Sequence, residues 1–323
     1  MSQLAIIIVS WNVKRLLADC LRSVFDDLAG DSRGLAAQVW VVDNASGDGS
    51  VEMVRRDFPA VKLLAGDTNL GFAGGNNAAL RTMGFGENGA AVDELPAAVL
   101  LLNPDTLVQP GALLTLADFL AKQPRAGIAG ARLQYGDGSF QHGAFAFPGL
   151  WQLAIDLLPL PGRLAESRLN GRYPREWYAQ GQPFEIGHPL GAAMAVRREA
   201  ILQAGLLDEA YHMYVEEVDW SRRITASGWK AYCVPAAVVT HLGGQSTGQI
   251  QTASLINLWR SRYRYYRRYI GGVRLAVARQ IVRQGMRRKA GQDRANAQLS
   301  PTERGDRLAA YRQVIEIWQG KAE

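Results

Sequence analysis

The sequence predicts an α/β protein: a mostly parallel central sheet with helices on both faces, followed by a basic helical extension. Three observations carry this. Short β-branched runs alternate with helical spacing through the first 135 residues, the pattern of successive βαβ units. The strands read as continuous apolar runs, as in a sheet covered on both faces. The charge is divided: residues 251–323 hold 16 Lys and Arg against 5 Asp and Glu, whereas residues 1–250 hold 20 against 25. A chain of 323 residues that is 48% hydrophobic and 20% charged is folded, which excludes the disordered, collagen-like and coiled-coil classes. At this length one large domain (1–248) plus an extension (249–323) is expected.

The elements follow in order. Leu4-Ala5-Ile6-Ile7-Ile8-Val9 is a strand buried on both faces. Residues 14–28 place Leu16, Leu17, Leu21, Val24 and Leu28 along one side of a helix. Val39-Trp40-Val41-Val42 is a second strand running into the turn-rich Asp43-Asn44-Ala45-Ser46-Gly47-Asp48-Gly49, and a helix follows over 51–58. A third strand covers 61–64 and a helix 76–83. The fourth strand, Ala98-Val99-Leu100-Leu101-Leu102, ends at Asn103-Pro104-Asp105. Pro110 is expected at the first position of a helix reaching about Lys122, with a fifth strand over 128–133. Residues 136–185, rich in Gly, Pro and aromatics, lack clean periodicity and read as long loops with short helices, an acceptor-side lid. Gly191–Val196 is a strand, 198–204 a helix, and 216–227 a helix closed by Gly228. Tyr232–Val239 is a strand leading to His241, and after about Gln249 the chain becomes Arg- and Tyr-rich helix. No internal repeat is present.

Two cysteines, Cys20 and Cys233, cannot build a disulfide framework, and without a CxxC no structural zinc site is expected. The N-terminus lacks the basic segment of a signal peptide, and no run approaches a membrane-spanning length. A cytoplasmic, reducing location is expected.

Ligands of parallel sheets bind at the carboxyl ends of strands. Ser10-Trp11-Asn12, Asp43-Asn44 and Asn103-Pro104-Asp105 each follow a strand at once, so all three are expected along one edge. Asn69–Asn77 sets glycines before a helix, where backbone NH groups can approach a phosphate. It is neither GxGxxG nor GxxxxGK[ST], and a tight strand-to-helix turn explains it at least as well. Asp105 can hold a divalent cation that also touches a diphosphate, or form an Asx turn. Asp43 can accept from a nucleobase NH or a ribose hydroxyl, or build a turn with Asn44 and Ser46. Glu216, Glu217 and Asp219 are acids in a first helical turn, which the helix dipole favours by itself. Clustered carboxylates can also raise one another's pKa and supply a general base. Glu216 and Asp219 share a face and Glu217 points elsewhere. His241, at a strand end, can meet a metal or a phosphate, or merely be hydrogen-bonded.

Together and in this order, the pieces resemble the family 2 inverting glycosyltransferases of the GT-A fold, especially bacterial rhamnosyltransferases acting on cell-wall or surface polysaccharides. The matching stretches span residues 4–248: Ile7–Asn12, Val41–Ser50, Asn69–Asn77, Leu101–Asp105, Gly191–Glu199, Glu216–Asp219 and Val239–His241. The resemblance implies that Ser10, Asn12 and Asp43 hold the nucleoside, with Asp43 on the base. Asn69, Gly71, Asn76 and Asn103 would line the donor pocket. Asp105 resembles the metal-binding acid of the family's DxD element, whose first Asp is Asn103 here, and His241 matches the position near metal and diphosphate. Glu217 matches the catalytic base, in a Glu-Glu pair where many relatives have Glu-Asp. Glu216, Asp219 and Trp220 are expected beside the acceptor or behind the base.

The implied cofactor is Mg²⁺ or Mn²⁺, which would neutralise the leaving diphosphate while Glu217 takes the proton of an acceptor hydroxyl. The implied donor is dTDP-rhamnose, and the implied acceptor a glycan or lipid-linked glycan. Trp259-Arg260-Ser261-Arg262-Tyr263-Arg264-Tyr265-Tyr266-Arg267-Arg268-Tyr269 interleaves aromatics with arginines, and Arg274–Arg288 continues as a basic amphipathic helix. Such residues suit a membrane headgroup interface, so peripheral contact with the inner membrane through 259–289 is expected; a homodimer interface is the competing use. No RNA or DNA motif accompanies the arginines, so no nucleic-acid partner is expected. The rival functions are a non-catalytic sugar-nucleotide or polysaccharide-binding relative and a nucleotidyltransferase, although the basic glycine-rich loop expected after the latter's first strand is missing.

Overall fold

A computed structural model of the chain describes residues 4–86, 91–211, 213–243 and 251–321. Strand and helix alternate as β1 (Leu4–Ser10), α1 (Lys14–Gly30), β2 (Ala37–Asn44), α2 (Ser50–Asp57), β3 (Lys62–Gly66) and α3 (Gly71–Met83). Next come β4 (Ala98–Leu102), β5 (Thr106–Val108), α4 (Ala112–Lys122) and β6 (Ala126–Gln134). The aperiodic segment resolves into short pieces: β7 (Phe140–Gln141), β8 (Ala144–Phe145), α5 (Leu150–Leu157), α6 (Arg175–Ala179), β9 (Phe184–Ile186) and β10 (His188–Pro189). Then follow β11 (Ala193–Arg197), α7 (Arg198–Ala204), α8 (Glu216–Ala226), β12 (Lys230–His241), α9 (Gln251–Tyr269), α10 (Gly272–Ala295) and α11 (Pro301–Trp318).

The main sheet runs β3-β2-β1-β4-β11-β6-β12-β5. β3, β2, β1 and β4 are mutually parallel, as are β6 and β12, while β11 lies antiparallel between β4 and β6. Alternate residues of β1 serve opposite faces: Leu4, Ile6 and Ile8 join one core with Leu17, Leu21, Leu113 and Leu116. Ala5 and Ile7 join the other, with Leu80, Leu101, Met194 and Trp220. Both faces are therefore buried, which explains why the strands read as unbroken apolar runs.

Three expectations shift. The helix expected from residue 76 begins at Gly71, because the glycines are helical packing residues rather than loop. A Cβ on Gly75 would lie 2.7 Å from Val9 Cγ1, so only glycine lets α3 settle on β1. Pro110 lies outside α4, since Gly111, at φ +81°, occupies the capping position. The short strand β5 intervenes between Asp105 and that cap.

By its packing the chain divides into two units. The first comprises Met1–Ala146, Tyr173–His212 and Glu216–Ser246; the second comprises Phe147–Arg172, Met213–Val215 and Thr247–Glu323. A boundary at 248/249 therefore differs from the packing, in which α5 groups with the C-terminal helices. Within the second unit, Gly285 lets α10 close on α5, since a Cβ there would lie 2.6 Å from Leu157 Cβ. The rings of Trp259, Tyr263 and Tyr266 surround Trp318 at 5.5–5.9 Å between centroids, and Trp259, Tyr265, Tyr266 and Trp318 are buried. The aromatics expected at a headgroup interface form the core of this unit instead.

Candidate active site

The residues expected to hold a nucleoside stand at the carboxyl ends of β1 and β2. Ser10 and Asp43 are register partners in that parallel pair, so their side chains leave the same face. Asp43 divides its carboxylate between two tasks. Oδ1 accepts from Ser46 N at 2.8 Å, Ser46 Oγ accepts from Asn12 N at 2.9 Å, and Asn12 Oδ1 accepts from Gly47 N at 2.8 Å. This network holds Asn12 and Ala45 at φ +53° and +61°, conformations costly for non-glycine residues. Asp43 Oδ2 and Ser10 Oγ are buried without a hydrogen-bond partner. An unmet buried polar group costs about 1–3 kcal/mol, so both atoms fit a ligand that donates to one and engages the other.

The glycine-rich segment works mainly as structure. Asn69 is exposed and accepts from Gly71 N at 2.9 Å through Oδ1. Asn44 Nδ2 donates to Gly71 O at 3.0 Å, which ties the start of α3 to β2. Asn76 Nδ2 donates to Phe72 O at 2.8 Å, while its buried Oδ1 has no partner.

The second cluster lies at the β4–β5 turn. Asn103 N donates to Ala192 O at 2.9 Å, and its carbonyl accepts from Thr106 Oγ1 at 2.7 Å. Asp105 O accepts from Leu242 N at 2.9 Å, and β12 pairs His241 with Thr106. These bonds bring His241 Nε2 to 3.5 Å from Asp105 Oδ1, with the two residues 8% and 6% exposed. A carboxylate and an imidazole facing each other fit a hard divalent cation as two of its ligands. Among the described residues no third Asp, Glu, His or Cys joins them, so a cation there would draw its remaining ligands from water or from a bound ligand.

Glu217 reaches the same edge from α8. A Cβ on Gly191 would lie 3.5 Å from Glu217 Cγ and 3.6 Å from Phe72 Cζ. Gly191 precedes Ala192, the acceptor of the Asn103 NH, so a short series of contacts joins Glu217 to the Asn103–Asp105 turn. Glu216 is buried on α8. Asp219 and Trp220 lie in the interior, and of their two expected places this fits the one behind the base. Asp219 is fully buried and accepts from Arg223 Nε at 2.9 Å; Trp220 is fully buried and donates from Nε1 to Gly205 O at 2.8 Å. Trp220, and Arg223 through its bonds to Ala204 O and Leu206 O, tie α8 to the end of α7 and the segment that follows it.

Sequence reasoning missed two neighbours of the Asp105 turn. Cys20 Sγ lies 3.6 Å from Asn103 O and from Thr106 Oγ1; burial pushes its thiol up to about 12, so it packs rather than reacts. Gln141 reaches His241 Nδ1 from β7. Neither carries a sequence signal, because both positions depend on long-range pairing.

The family model for glycosyl transferase family 2 matches residues 5–201. The chain is 31% identical over 233 residues to the N-acetylglucosaminyl-diphospho-decaprenol L-rhamnosyltransferases of two Mycobacterium tuberculosis strains, covering 70% of this chain and 73% of theirs. Among solved structures, a mannosyltransferase from Pyrobaculum calidifontis in complex with GDP-Man and Mn²⁺ superposes with a TM-score of 0.56 at 15% identity, over 99% of this chain and 86% of that one. GalNAc-T7 with UDP, GalNAc and Mn²⁺ gives 0.53 at 18% identity over 74% of this chain; the match spans 42% of that protein. At such identities the likeness is one of fold.

Proposed function

Because the chain belongs to glycosyl transferase family 2 and has the GT-A fold, we propose that it is a metal-assisted, inverting hexosyltransferase. In this reading it moves L-rhamnose from dTDP-rhamnose to a hydroxyl of a lipid-linked glycan during cell-wall or surface polysaccharide synthesis. The observation that carries it is the convergence at one sheet edge of unmet buried acceptors (Ser10, Asp43), a buried acid–imidazole pair (Asp105, His241) and the half-buried acid Glu217. Identity of 31% to the two rhamnosyltransferases supports the sugar and the acceptor class.

In this reading Asp43 Oδ2 accepts from the base and Ser10 Oγ meets the nucleoside, while the open Oδ1 of Asn76 and the Asn103 side chain face the donor. Asp105 and His241 would hold Mg²⁺ or Mn²⁺, which supplies charge neutralisation for the departing diphosphate. Glu217 takes the acceptor hydroxyl's proton as that oxygen attacks the anomeric carbon from the face opposite the diphosphate, so the configuration inverts. Much of the remaining acceleration comes from holding both substrates in place. The exposed arginines of α9 would bring the enzyme to an anionic membrane surface, where a lipid-linked acceptor resides.

A thermal-shift screen of nucleotide sugars with and without Mn²⁺ tests donor and metal together, since only a ligand of the folded state raises its stability. dTDP-rhamnose with Mn²⁺ is expected to give the largest rise. Glu217→Gln is expected to keep that rise and lose about 10²–10⁴-fold in kcat. Unchanged turnover in the variant would remove Glu217 from the chemistry.

A further inference from the structure

Two adjacent asparagines on α3 do different work. Asn76 leaves a buried Oδ1 open, whereas the equally buried Asn77 has both of its donors engaged. Asn77 Oδ1 accepts from Leu207 N at 3.1 Å, and its Nδ2 donates to Leu207 O at 2.9 Å and to Glu209 Oε1 at 2.8 Å. A side-chain amide carries two N–H donors, so none is left for a ligand. Glu209 also accepts from Arg81 of α3 at 2.6 Å, and the Asn77 bond, with Arg81 behind it, holds its carboxyl below the ordinary value. Residues 205–211, which form neither helix nor strand, are in this way fastened to α3. The same residues are fastened to α8. Trp220 Nε1 donates to Gly205 O at 2.8 Å, Arg223 Nη2 to Leu206 O at 2.8 Å, and Tyr211 Oη to Asp219 Oδ1 at 3.4 Å. The segment is thus a link between α3 and the helix that carries Glu217. Tyr214 and Val215, the last residues before that helix, stand at φ +71° and +72°. Such a conformation is costly for non-glycine residues and persists only where the surroundings impose it. At its other end α3 borders Glu217 directly, since Phe72 Cζ and Glu217 Cγ flank one spot, 3.6 and 3.5 Å from a Cβ placed on Gly191.

We propose that Asn77 is a positioning residue for Glu217: it holds residues 205–211 on α3 and so sets the first turn of α8, and with it the Glu217 carboxylate, at a fixed place beside α3. The role rests on the reading of Glu217 as the base that takes the acceptor proton. Asn77 touches neither substrate, so its effect belongs to kcat and not to donor affinity.

Turnover, donor affinity and hydrogen exchange together separate the positioning role from the reading beneath it. Asn77→Ala should lower kcat about 10–100-fold, while the Kd for dTDP-rhamnose with Mn²⁺ stays at the wild-type value. In a Glu217→Gln background the same substitution should lower kcat no further, because groups that act as a unit are not additive. An equal loss in both backgrounds overturns the proposal, as does a loss confined to donor affinity. Should Asn77→Ala fail to fold, Glu209→Ala removes one of the three Asn77 bonds from a partly exposed side chain. It should give a smaller fall in kcat with the same dependence on Glu217. In ligand-free protein, backbone amides of α8 should exchange about 10-fold faster or more in Asn77→Ala, while those of β1 and β4 keep their rates. Unchanged exchange in α8 also overturns the proposal. Turnover that survives Glu217→Gln, or no turnover of dTDP-rhamnose at all, would fail the reading beneath; faster exchange confined to α8 would then leave the hold of Asn77 on that helix standing.

Discussion

His188 shows how far burial alone can move one residue's chemistry. Its ring stacks on Phe145 at 5.7 Å between centroids, and Nδ1 donates to Pro189 O at 3.0 Å. Burial drops its pKa from the ordinary 6.5 to about 4. The folded protein therefore refuses a proton that the unfolded chain accepts. The resulting stability is fully present above pH 6.5 and is lost as pH falls toward 4, by about 3 kcal/mol. Urea unfolding of wild type and His188→Phe at pH 7.5, 5.5 and 4.5 checks this. Wild type should lose more stability across the series than the variant; parallel curves would reject the assignment. The residues legible in the sequence were those that follow an apolar strand at once: Ser10, Asp43 and Asp105. Gln141 was illegible because a two-residue strand has no period, and its partner across 100 residues is set only by register. The sequence left Trp220 open between a place beside the acceptor and one behind the base, because helical spacing tells which residues share a face, not which face turns inward.

At the scale of elements, α4 shows why a helix start can be found in sequence while its cap cannot. Pro110 announces the helix, yet the orphan NH groups of its first turn are met from α1. The buried carboxylate of Asp27 accepts from Gly111 N and, at 3.0 Å, from Leu113 N. Gly111 has no side chain to do this locally, and its φ of +81° suits glycine. The bond also ties α1 to α4, two helices of one core face. Asp27→Ala leaves buried donors unmet and should destabilise the fold by about 1–3 kcal/mol. Denaturant unfolding should show a lower midpoint with an unchanged m-value; a midpoint within error of wild type would mean that water replaces the cap. The tail helices show the converse limit. Their Arg–Tyr interleaving is plain in the sequence, but the same rings suit a headgroup interface and an internal core. Only the packing around Trp318 decides between them.

For the whole molecule, that decision changes how a membrane would be met. With the aromatics turned inward, what stays outside on α9 is charge: Arg260, Arg264, Arg267 and Arg268 are exposed at i, i+4, i+7 and i+8, along one face. No acid occurs between Trp259 and Lys289, against eleven basic residues. Among the described residues no helix is long and apolar enough to cross a membrane, and the buried side of α10, through Leu275, Ala278, Val282 and Met286, is already used within its own unit. Contact with a bilayer would then be electrostatic rather than insertive: it should need anionic lipid and fall with salt, because the Debye length shrinks from about 10 Å at 0.1 M to about 3 Å at 1 M. At about 1 kcal/mol per arginine near the surface, replacing all four by Glu should lower affinity for vesicles rich in anionic phospholipid by at least 100-fold. Turnover on a short water-soluble acceptor should be unchanged. Co-sedimentation with anionic and with neutral vesicles measures both. Equal binding to the two vesicle types, or anionic binding that survives the four substitutions, would show that this face does not dock the enzyme.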